Sequence, residues 1–262
     1  MQLVARKSRP ERRRIVRIGQ FPIDAVDIQE TAHAFVDYCR SAERAKATRP
    51  IYSTSLNGQV ISLCAQDREL KESILSADSV NADGQPLVLL SRYLCANPLP
   101  ERVATTDLFP AVARLAAQAG VTFYMLGAAE EVNREAVKAA LAAYPGLRIV
   151  GRRNGFFPRA EEAAIVEEIV KLKPDVLWVS LGVPLEQEFV ARYSARLPNV
   201  KVIKTSGGLF DFIAGAKSRA PRWLQKAGFE WAFRLFLEPR RLAIRYLTTN
   251  PIALMMLLTQ TK

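Results

Sequence analysis

Short apolar stretches alternate with longer segments of helical periodicity along residues 17–216. Two of the short stretches, 122–126 and 176–181, are apolar on both faces of the strand that they would form, as buried parallel strands are. Strands separated by helices of about 10–15 residues indicate βαβ units. The pattern predicts an α/β fold with a Rossmann-like, mostly parallel sheet flanked by helices, and a basic helical C-terminal appendage.

The same periodicity gives approximate bounds for each element. Asp27 is expected to cap the first helix, because its carboxylate can accept hydrogen bonds from the first N–H groups. The predicted strands are 17–23, 50–55, 78–82, 122–126, 147–152, 176–181 and 201–205. The predicted helices are 27–45, one beginning at 57, 84–94, 107–119, 130–143, 161–171 and 186–197.

Charge divides the chain into three parts. The net charge is +11, but residues 1–17 carry seven basic groups against one acid, and residues 217–262 carry nine against two. The ends therefore hold +6 and +7, which leaves −2 for the middle. We expect a basic N-terminal segment (1–16), an α/β core (17–216) and a helical, membrane-associating appendage (217–262), with an anionic surface as partner.

The appendage mixes aromatic and basic residues and contains no predicted strand. Basic groups recur at spacings that allow amphipathic helices, which are typical of segments that lie on an anionic bilayer. The alternative is an ordinary C-terminal helix whose aromatic residues pack on the core. Residues 248–261 are uncharged and mostly apolar, but they are too short to span a bilayer and contain Pro251, so no spanning helix is predicted. No secretory signal is visible.

Few side chains are available for metal or thiol chemistry. Cys39, Cys64 and Cys95 show no metal-type spacing and are expected to be free thiols in a reducing compartment. His33 is the only histidine, and no D-x-D motif is present, so we expect no metal and no cofactor.

Four segments of small and polar residues follow predicted strands, where open parallel sheets bind ligands. They are residues 54–57, 81–86, 182–187 and 205–208. Small residues there let a backbone approach a diphosphate, and the next helix start can cradle its charge. Each segment alone is also ordinary turn chemistry. Neither G-x-G-x-x-G nor a Walker motif is present, which disfavours a standard dinucleotide or P-loop site.

Several motifs in order resemble the WecG/TagA/CpsF glycosyltransferase family from about residue 17 to 250. The matching stretches are Ser55-Leu56-Asn57, Ala82-Asp83-Gly84, residues 99–103 with Thr106-Asp107, residues 124–128, residues 144–146 with Gly155-Phe156-Phe157, residues 207–215, Arg219-Ala220-Pro221, residues 228–231, Arg234-Leu235 and Glu238-Pro239.

The resemblance implies inverting transfer of a sugar from a UDP-sugar to an undecaprenyl-diphosphate-linked sugar. Such steps build teichoic acid linkage units, enterobacterial common antigen or exopolysaccharide. The donor hexose stays open between glucose, N-acetylmannosamine and N-acetylmannosaminuronic acid. The implied place is the cytoplasmic face of the bacterial inner membrane, bound peripherally, and association with further copies of the chain is left open.

The resemblance also implies roles for individual residues. Asp83 is the expected general base, assisted by Ser55, where relatives often carry Thr. The residues expected to bind donor or acceptor are Thr54, Asn57, Gly84, Arg102, Asp107, Gly127, Glu186, Gln187, Gly207, Gly208 and Asp211. The residues expected to bind lipid or diphosphate are Arg219, Arg222, Arg234 and Arg241.

Some of these residues have a structural alternative. Asp83 could instead cap the following helix, and Arg102 could form a surface ion pair with Glu101 or Asp107. Relatives often read G-x-P-x-Q-E in the third segment, whereas this chain has Glu186 before Gln187, which leaves open which of the two contacts the donor. Asp211 could orient the glycine loop or contact the sugar.

Two other functions fit part of the sequence. A nucleic-acid-binding protein would explain the basic ends with their aromatic residues, but not the strand-end motifs or the slightly acidic middle. An NAD-type oxidoreductase could share the fold class, but the glycine fingerprint is missing. We therefore expect a UDP-sugar and a polyprenyl-diphosphate sugar as partners, and no nucleic acid.

Overall fold

The protein is an α/β structure built on a parallel six-stranded sheet, as the sequence predicts. This computed structural model describes residues 14–42, 47–221, 223–224 and 230–261. The strands of these residues are β1 Ile15–Ile18, β2 Phe21–Asp24, β3 Ile51–Leu56, β4 Ser79–Ala82, β5 Thr122–Gly127, β6 Arg148–Arg153, β7 Val176–Ser180 and β8 Val202–Thr205. The sheet order is β4-β3-β8-β7-β5-β6, with every neighbouring pair parallel.

Helices cover both faces of the sheet. In the described part of the chain they are α1 Ile28–Arg40, α2 Gly58–Cys64, α3 Arg68–Leu75, α4 Gln85–Leu94, α5 Thr105–Ala119, α6 Glu130–Ala143, α7 Glu162–Leu172, α8 Leu185–Tyr193, α9 Leu209–Ile213, α10 Glu230–Leu237 and α11 Pro239–Thr259. Asp27 caps α1 as predicted, since its carboxylate accepts from the N–H of Glu30 at 2.7 Å. The predicted extension of this helix to Ala45 is wrong, because α1 ends at Arg40 and Ser41 is its C-cap. Ala45 itself lies outside the described residues.

The predicted strand at 17–23 is wrong, because this region is a hairpin of the antiparallel strands β1 and β2. Gly19 and Gln20 form its two-residue turn, with φ values of 55° and 75°. Two consecutive positive φ angles suit the twist of a tight hairpin. Glycine adopts them freely, but glutamine gives no turn signal, and for that reason the sequence pattern reads as one strand.

Two short helices were not predicted. Asp67 caps α3 by accepting from the N–H of Leu70 at 2.9 Å, and α3 packs against α8. Helix α9 follows the glycines after β8 and buries Leu209 and Phe210. Both are too short for a clear period of 3.6 residues in the sequence.

Apolar clusters on the two faces of the sheet hold the helices in place. Helices α1, α5, α6 and α9 pack on one face around Trp178 and Phe123, whose ring centroids lie 5.8 Å apart. Helices α7 and α8 pack on the other face with Leu177 and Ile203. Strand β7 is buried along its whole length, which confirms the prediction of a strand apolar on both faces.

Helix α11 continues through Pro251, contrary to the expectation that this proline limits the apolar segment. In the described part of the chain, its window Leu242–Thr259 is the one helix long and apolar enough to cross a membrane, by length and composition alone. However, Ala253, Met256 and Leu257 are buried in a cluster with α2, α4 and the hairpin. One side of the end of α11 is therefore packed in the core, although only 24% of the window Leu242–Thr259 is buried.

The two ends of the described chain meet at this cluster. The N–H groups of Gly19 and Gln20 donate to Thr261 Oγ1 and to the carbonyl of Gln260, both at 3.1 Å. A deletion of residues 217–262 would thus remove buried side chains from the core as well as the appendage, so the appendage is better tested by substitution. The three cysteines are free thiols, as predicted.

Candidate active site

The candidate site lies at the carboxyl edge of the sheet, where β3 and β8 are neighbours. Helices α2 and α3 follow β3, and α3 packs with α8 on one face, whereas α9, which follows β8, packs with α5 and α6 on the other. Connections that leave two adjacent parallel strands for opposite faces open a crevice between them, and ligands of open α/β sheets bind there. Three of the four predicted strand-end segments border this crevice or its neighbouring strand β4.

A fully buried lysine lies beneath this crevice. Lys204 of β8 has no exposed surface, and its Nζ donates to Ser55 Oγ at 2.8 Å and to Asn81 Oδ1 at 3.2 Å. Ser55 Oγ also lies 3.1 Å from Thr105 Oγ1 at the start of α5. Burial lowers the pKa of Lys204 to about 8. Lys204 is not among the predicted site residues, although a charged residue inside an otherwise apolar central strand is itself a signal.

Asp83 follows β4 and is held there by its backbone N–H, which donates to the carbonyl of Leu56 at 2.8 Å. Burial raises the pKa of its carboxyl to about 6, while Arg102 and Lys204 oppose this shift. The alternative as a helix cap does not hold, because Gly84 occupies the cap position of α4 and no side chain caps that helix. A carboxylate of this pKa suits a general base near neutral pH.

Four charged side chains form an ion-pair network beside Asp83. Arg102 donates to Glu230 at 2.6 Å and to Asp107 at 3.4 Å. Arg219 binds the same Asp107 through two nitrogens, at 2.5 and 3.1 Å. The ion pair of Arg102 with Asp107 was foreseen as an alternative, but Glu230 was not, and Glu101 instead accepts from the first N–H of α1 at 2.7 Å. Two guanidinium groups are thus gathered at one end of the crevice.

Glu186 and Gln187 are both buried at the start of α8. Glu186 Oε2 accepts from the backbone N–H of Gly207 at 2.9 Å, and burial raises the pKa of its carboxyl to about 7. Gln187 Nε2 lies 3.3 Å from Glu186 Oε1, and among the described residues Gln187 Oε1 has no hydrogen-bond partner. Glu186 therefore supports the glycine loop after β8. Which of the two contacts a donor stays a prediction.

Other predicted residues have structural contacts at the same edge. Thr54 is buried and its Oγ1 accepts from Thr205 Oγ1 at 2.7 Å, joining β3 to β8. Asn57 caps α2 by accepting from the N–H of Val60 at 3.1 Å. A Cβ on Gly84 would lie only 3.5 Å from the side chain of Asn57. These residues line up along the carboxyl ends of β3 and β4, and their binding roles stay predictions.

Gly127 and Asp211 are further examples in which a packing contact is visible. A Cβ on Gly127 would lie 2.2 Å from the carbonyl oxygen of Ser180, so the glycine lets β5 approach β7. Asp211 pairs with Lys217 at 2.7 Å and lies beside Gly208. This position supports the reading that Asp211 orients the glycine loop.

Three residues predicted to bind lipid or diphosphate cannot be placed. Arg222 lies outside the described residues, as do the side chains of Arg234 and Arg241. In the ranges that the structure does describe, no three His, Cys, Asp or Glu side chains form a group that could hold a metal ion. Metal independence stays a prediction.

Two clefts lie close to this site, but neither is lined by Asp83, Ser55 or Lys204. One cleft of about 320 Å³ lies between α3 and α8 and is lined by Gln187 but not by Asp83, Ser55 or Lys204. A more apolar groove of about 250 Å³ runs between α5, α6 and α9, with Arg219 on its rim. The site is instead identified by its buried and partly buried charges at the topological crevice.

Comparison with known proteins agrees with this geometry. Three similar relatives are each named N-acetylglucosaminyldiphosphoundecaprenol N-acetyl-beta-D-mannosaminyltransferase. The Bacillus subtilis protein is 28% identical over 208 residues, which is 79% of both chains. The Bacillus spizizenii protein is 32% identical over 171 residues, 65% of each chain, and one from Staphylococcus aureus is 26% identical over 197 residues, 75% of this chain and 76% of its own.

Residues 16–262 match the family described as "Glycosyl transferase WecG/TagA/CpsF family". The match covers the sheet, the crevice and the appendage, and its range includes every motif stretch from Ser55 to Pro239. It favours neither a nucleic-acid-binding protein nor an oxidoreductase. With the crevice, the partly buried carboxyl of Asp83 and the gathered guanidinium groups in place, the chain belongs to the WecG/TagA/CpsF family of glycosyltransferases.

Proposed function

We propose that this protein transfers a hexose from a UDP-sugar to the sugar of a polyprenyl diphosphate, with inversion at the anomeric carbon. The observation that carries the proposal is Asp83, a partly buried carboxyl with a pKa of about 6 at the crevice of a glycosyltransferase-family fold. Near pH 7 most of this carboxyl is ionised, so it can accept a proton from an acceptor hydroxyl.

The reaction needs one proton transfer and one displacement. Asp83 takes the proton of the acceptor hydroxyl, and the freed oxygen forms a bond to the anomeric carbon of the donor. The bond from that carbon to the diphosphate breaks on the opposite face, and its electron pair leaves with UDP. Attack opposite to the leaving group inverts the configuration.

The leaving diphosphate must be stabilised as its negative charge develops. Arg102 and Arg219 both interact electrostatically with Asp83, and planar guanidinium groups bind phosphate oxygens in pairs. Asp107 and Glu230 hold these two side chains in place and are of the same charge as the diphosphate they would face. This pair of arginines supports the proposal that the transfer needs no metal ion.

The acceptor class is proposed from the relatives. Their names describe a transfer of N-acetylmannosamine onto N-acetylglucosaminyl diphosphoundecaprenol. Identity of 26–32% supports the same acceptor class but leaves the hexose open between glucose, N-acetylmannosamine and its uronic acid. Teichoic-acid-type or exopolysaccharide synthesis is the setting that such an acceptor implies.

We place the protein peripherally on the cytoplasmic face of the bacterial membrane, where a polyprenyl diphosphate would be reached from the head-group side. Trp223, Phe236, Ile244 and Leu247 of the appendage are each at least two-thirds exposed, beside basic residues of the same segment. Exposed apolar side chains of this kind on a basic helical segment fit an anionic bilayer surface.

The first experiment measures transfer directly. Purified protein is incubated with each UDP-hexose and with a short-chain polyprenyl diphosphate that carries N-acetylglucosamine. We expect release of UDP and one new disaccharide-lipid with inverted anomeric configuration by NMR. A retained configuration would refute the single displacement, and no product with any donor would refute the proposed reaction. Nicotinamide cofactors serve as the control ligand in parallel thermal-shift measurements, where only the UDP-sugar should stabilise the protein.

The second experiment tests the membrane surface without deleting core residues. Phe236→Ser removes an exposed aromatic of the appendage, and Phe156→Ser is the matched control, since Phe156 is equally exposed on the body. We expect the first variant alone to pellet less with anionic vesicles, and binding to weaken with salt. Equal binding of both variants, or preference for single-stranded nucleic acid over vesicles, would contradict the assignment.

A further inference from the structure

Lys204 is an unusual residue for the centre of a parallel sheet. It is 0% exposed and lies between the strands β3 and β7, in register with Ser53 and Trp178. Burying an ammonium group costs several kcal/mol unless other groups compensate it. The other residues of β8 pack well without a charge, so the fold itself does not explain this cation.

The hydrogen bonds of Lys204 all lead toward the candidate site. An ammonium group can only donate, so Ser55 Oγ accepts from Nζ at 2.8 Å and Asn81 Oδ1 accepts at 3.2 Å. The single proton of the Ser55 hydroxyl must therefore point away from Lys204. Thr105 Oγ1, at 3.1 Å, is one possible acceptor, and a substrate oxygen would be another. Lys204 thus fixes Ser55 as a hydrogen-bond donor on its open side.

Three carboxyl groups act electrostatically on this ammonium: Asp83 after β4, Glu186 at the start of α8, and Asp24 of β2. Glu186 is also held by the N–H of Gly207, and Asp24 accepts from Ser79 and the N–H of Val80. Asp83 makes no such bond through its side chain to the described residues. Its side chain instead interacts electrostatically with the charged groups around it. The cations Arg102, Arg219 and Lys204 favour its ionised form, whereas the carboxylates Glu230 and Asp107 disfavour it.

We propose that Lys204 is a positioning residue of the transfer reaction, whose ammonium group keeps Asp83 ionised and holds the Ser55 hydroxyl as a donor toward the acceptor. The inference rests on the proposed function and adds a residue that acts from beneath the site. Lys204 does not touch a substrate, because it is fully buried.

The proposal gives the reaction two pH limits. Activity should rise as the carboxyl of Asp83, with a pKa of about 6, loses its proton. It should fall as the ammonium of Lys204, whose pKa is lowered to about 8, loses its own. Between these values the carboxylate and the ammonium coexist, so a bell-shaped profile is expected.

The decisive variant is Lys204→Met, which conserves volume and removes the charge. We expect the acid limb of kcat/KM to move up by about one unit and the alkaline limb near pH 8 to disappear. Such a shift lowers the ionised fraction of Asp83 at pH 6 from about one half to about one tenth. Lys204→Arg should restore the acid limb. Lys201→Met is the matched control, since Lys201 pairs with Asp175 away from the site.

A second measurement needs neither substrate nor a folded Lys204 variant. The carboxyl carbon of Asp83, assigned by its loss in Asp83→Asn, is followed by 13C NMR from pH 4 to 10 in the wild-type chain. We expect a main inflection near pH 6 and a smaller one near pH 8, when Lys204 loses its charge. Absence of any change above pH 7, or an unmoved acid limb in Lys204→Met, would overturn the proposal. Failure of the proposed function looks different: no transfer occurs, although both inflections are present.

Discussion

The Asp83→Asn variant is expected to lose turnover and to gain stability, and the size of the gain can be estimated from the structure. Burial raises the pKa of the Asp83 carboxyl from 3.8 to about 6. The folded chain therefore holds this proton more tightly than the unfolded chain. The stability that the protonated carboxyl contributes is fully present below about pH 4 and is lost as pH rises through about 6.

A difference of about two pKa units corresponds to about 3 kcal/mol, as an order of magnitude. Asparagine resembles the protonated carboxyl and cannot ionise, so the variant avoids this cost. Its free energy of unfolding should equal that of the wild type near pH 4 and exceed it by up to about 3 kcal/mol at pH 7–8. For a chain of this size the gain corresponds to roughly 5–10 °C in melting temperature.

Urea unfolding of both proteins at several pH values reports on this carboxyl and, toward pH 8, on Lys204, whose pKa the charge of Asp83 raises; the other titrating groups are present in both chains. Turnover at pH 7 should fall by about two to four orders of magnitude, the usual scale for loss of a general base. A stability difference that does not change between pH 4 and 8 would refute the burial argument. Near wild-type turnover in the folded variant would refute the role as base.

Three further predictions concern the leaving group and the sheet edge. Transfer should survive EDTA, because Arg102 and Arg219 are expected to neutralise the diphosphate; loss of activity with rescue by magnesium or manganese would contradict this. Glu230→Gln should lower the KM for the UDP-sugar severalfold, since it frees Arg102 from an ion pair of 2.6 Å while Asp107 still contacts Arg102; a raised KM would mean that the positioning of Arg102 by Glu230 outweighs the competition for its charge. Gly127→Ala should cost about 2–3 kcal/mol of stability, because the new Cβ would meet the Ser180 carbonyl oxygen at 2.2 Å. Gly120→Ala is its control, with a positive φ of 70° but nothing within 4 Å, and equal costs in urea unfolding would contradict the packing explanation.

The sequence predicts the sheet well because its strands are buried on both faces. Continuous apolar runs such as β5 and β7 leave little choice but a central parallel strand. The hairpin was misread because its turn depends on Gln20 at a positive φ, which residue type does not reveal. Helix α3 was missed for a similar reason, since Asp67 signals a cap only after the helix is known to begin there.

The candidate site was predicted in part, residue by residue. Asp83 and Ser55 were predicted from the family resemblance. In the structure they lie at the carboxyl ends of the neighbouring strands β4 and β3. Lys204 was not predicted, because residues 201–205 form one buried strand and a single charge within it produces no periodic pattern. Glu230 was overlooked because it lies 128 residues from its partner Arg102, a distance that no local pattern can relate.

Glycosyltransferases of this kind and dinucleotide-dependent oxidoreductases can share a parallel sheet, so the difference must lie in the residues at its edge. In a dinucleotide fold, glycines after a strand let a pyrophosphate approach the backbone. Here the space beside Gly127, the glycine that ends β5, is filled by the carbonyl group of Ser180, so this glycine allows close packing within the sheet. The charges are gathered around the β3–β8 crevice instead, with Lys204 on β8, two strands from β5, and Asp83 after β4, four strands from it. Both groups pay for burial with a shifted pKa, and such a cost is retained where proton transfer needs an ionised carboxyl and a fixed hydroxyl. An edge that carries an ionisable carboxyl, a fixed hydroxyl and two nearby guanidinium groups suits the glycosyl transfer that we propose, in which one proton moves beside a leaving anion.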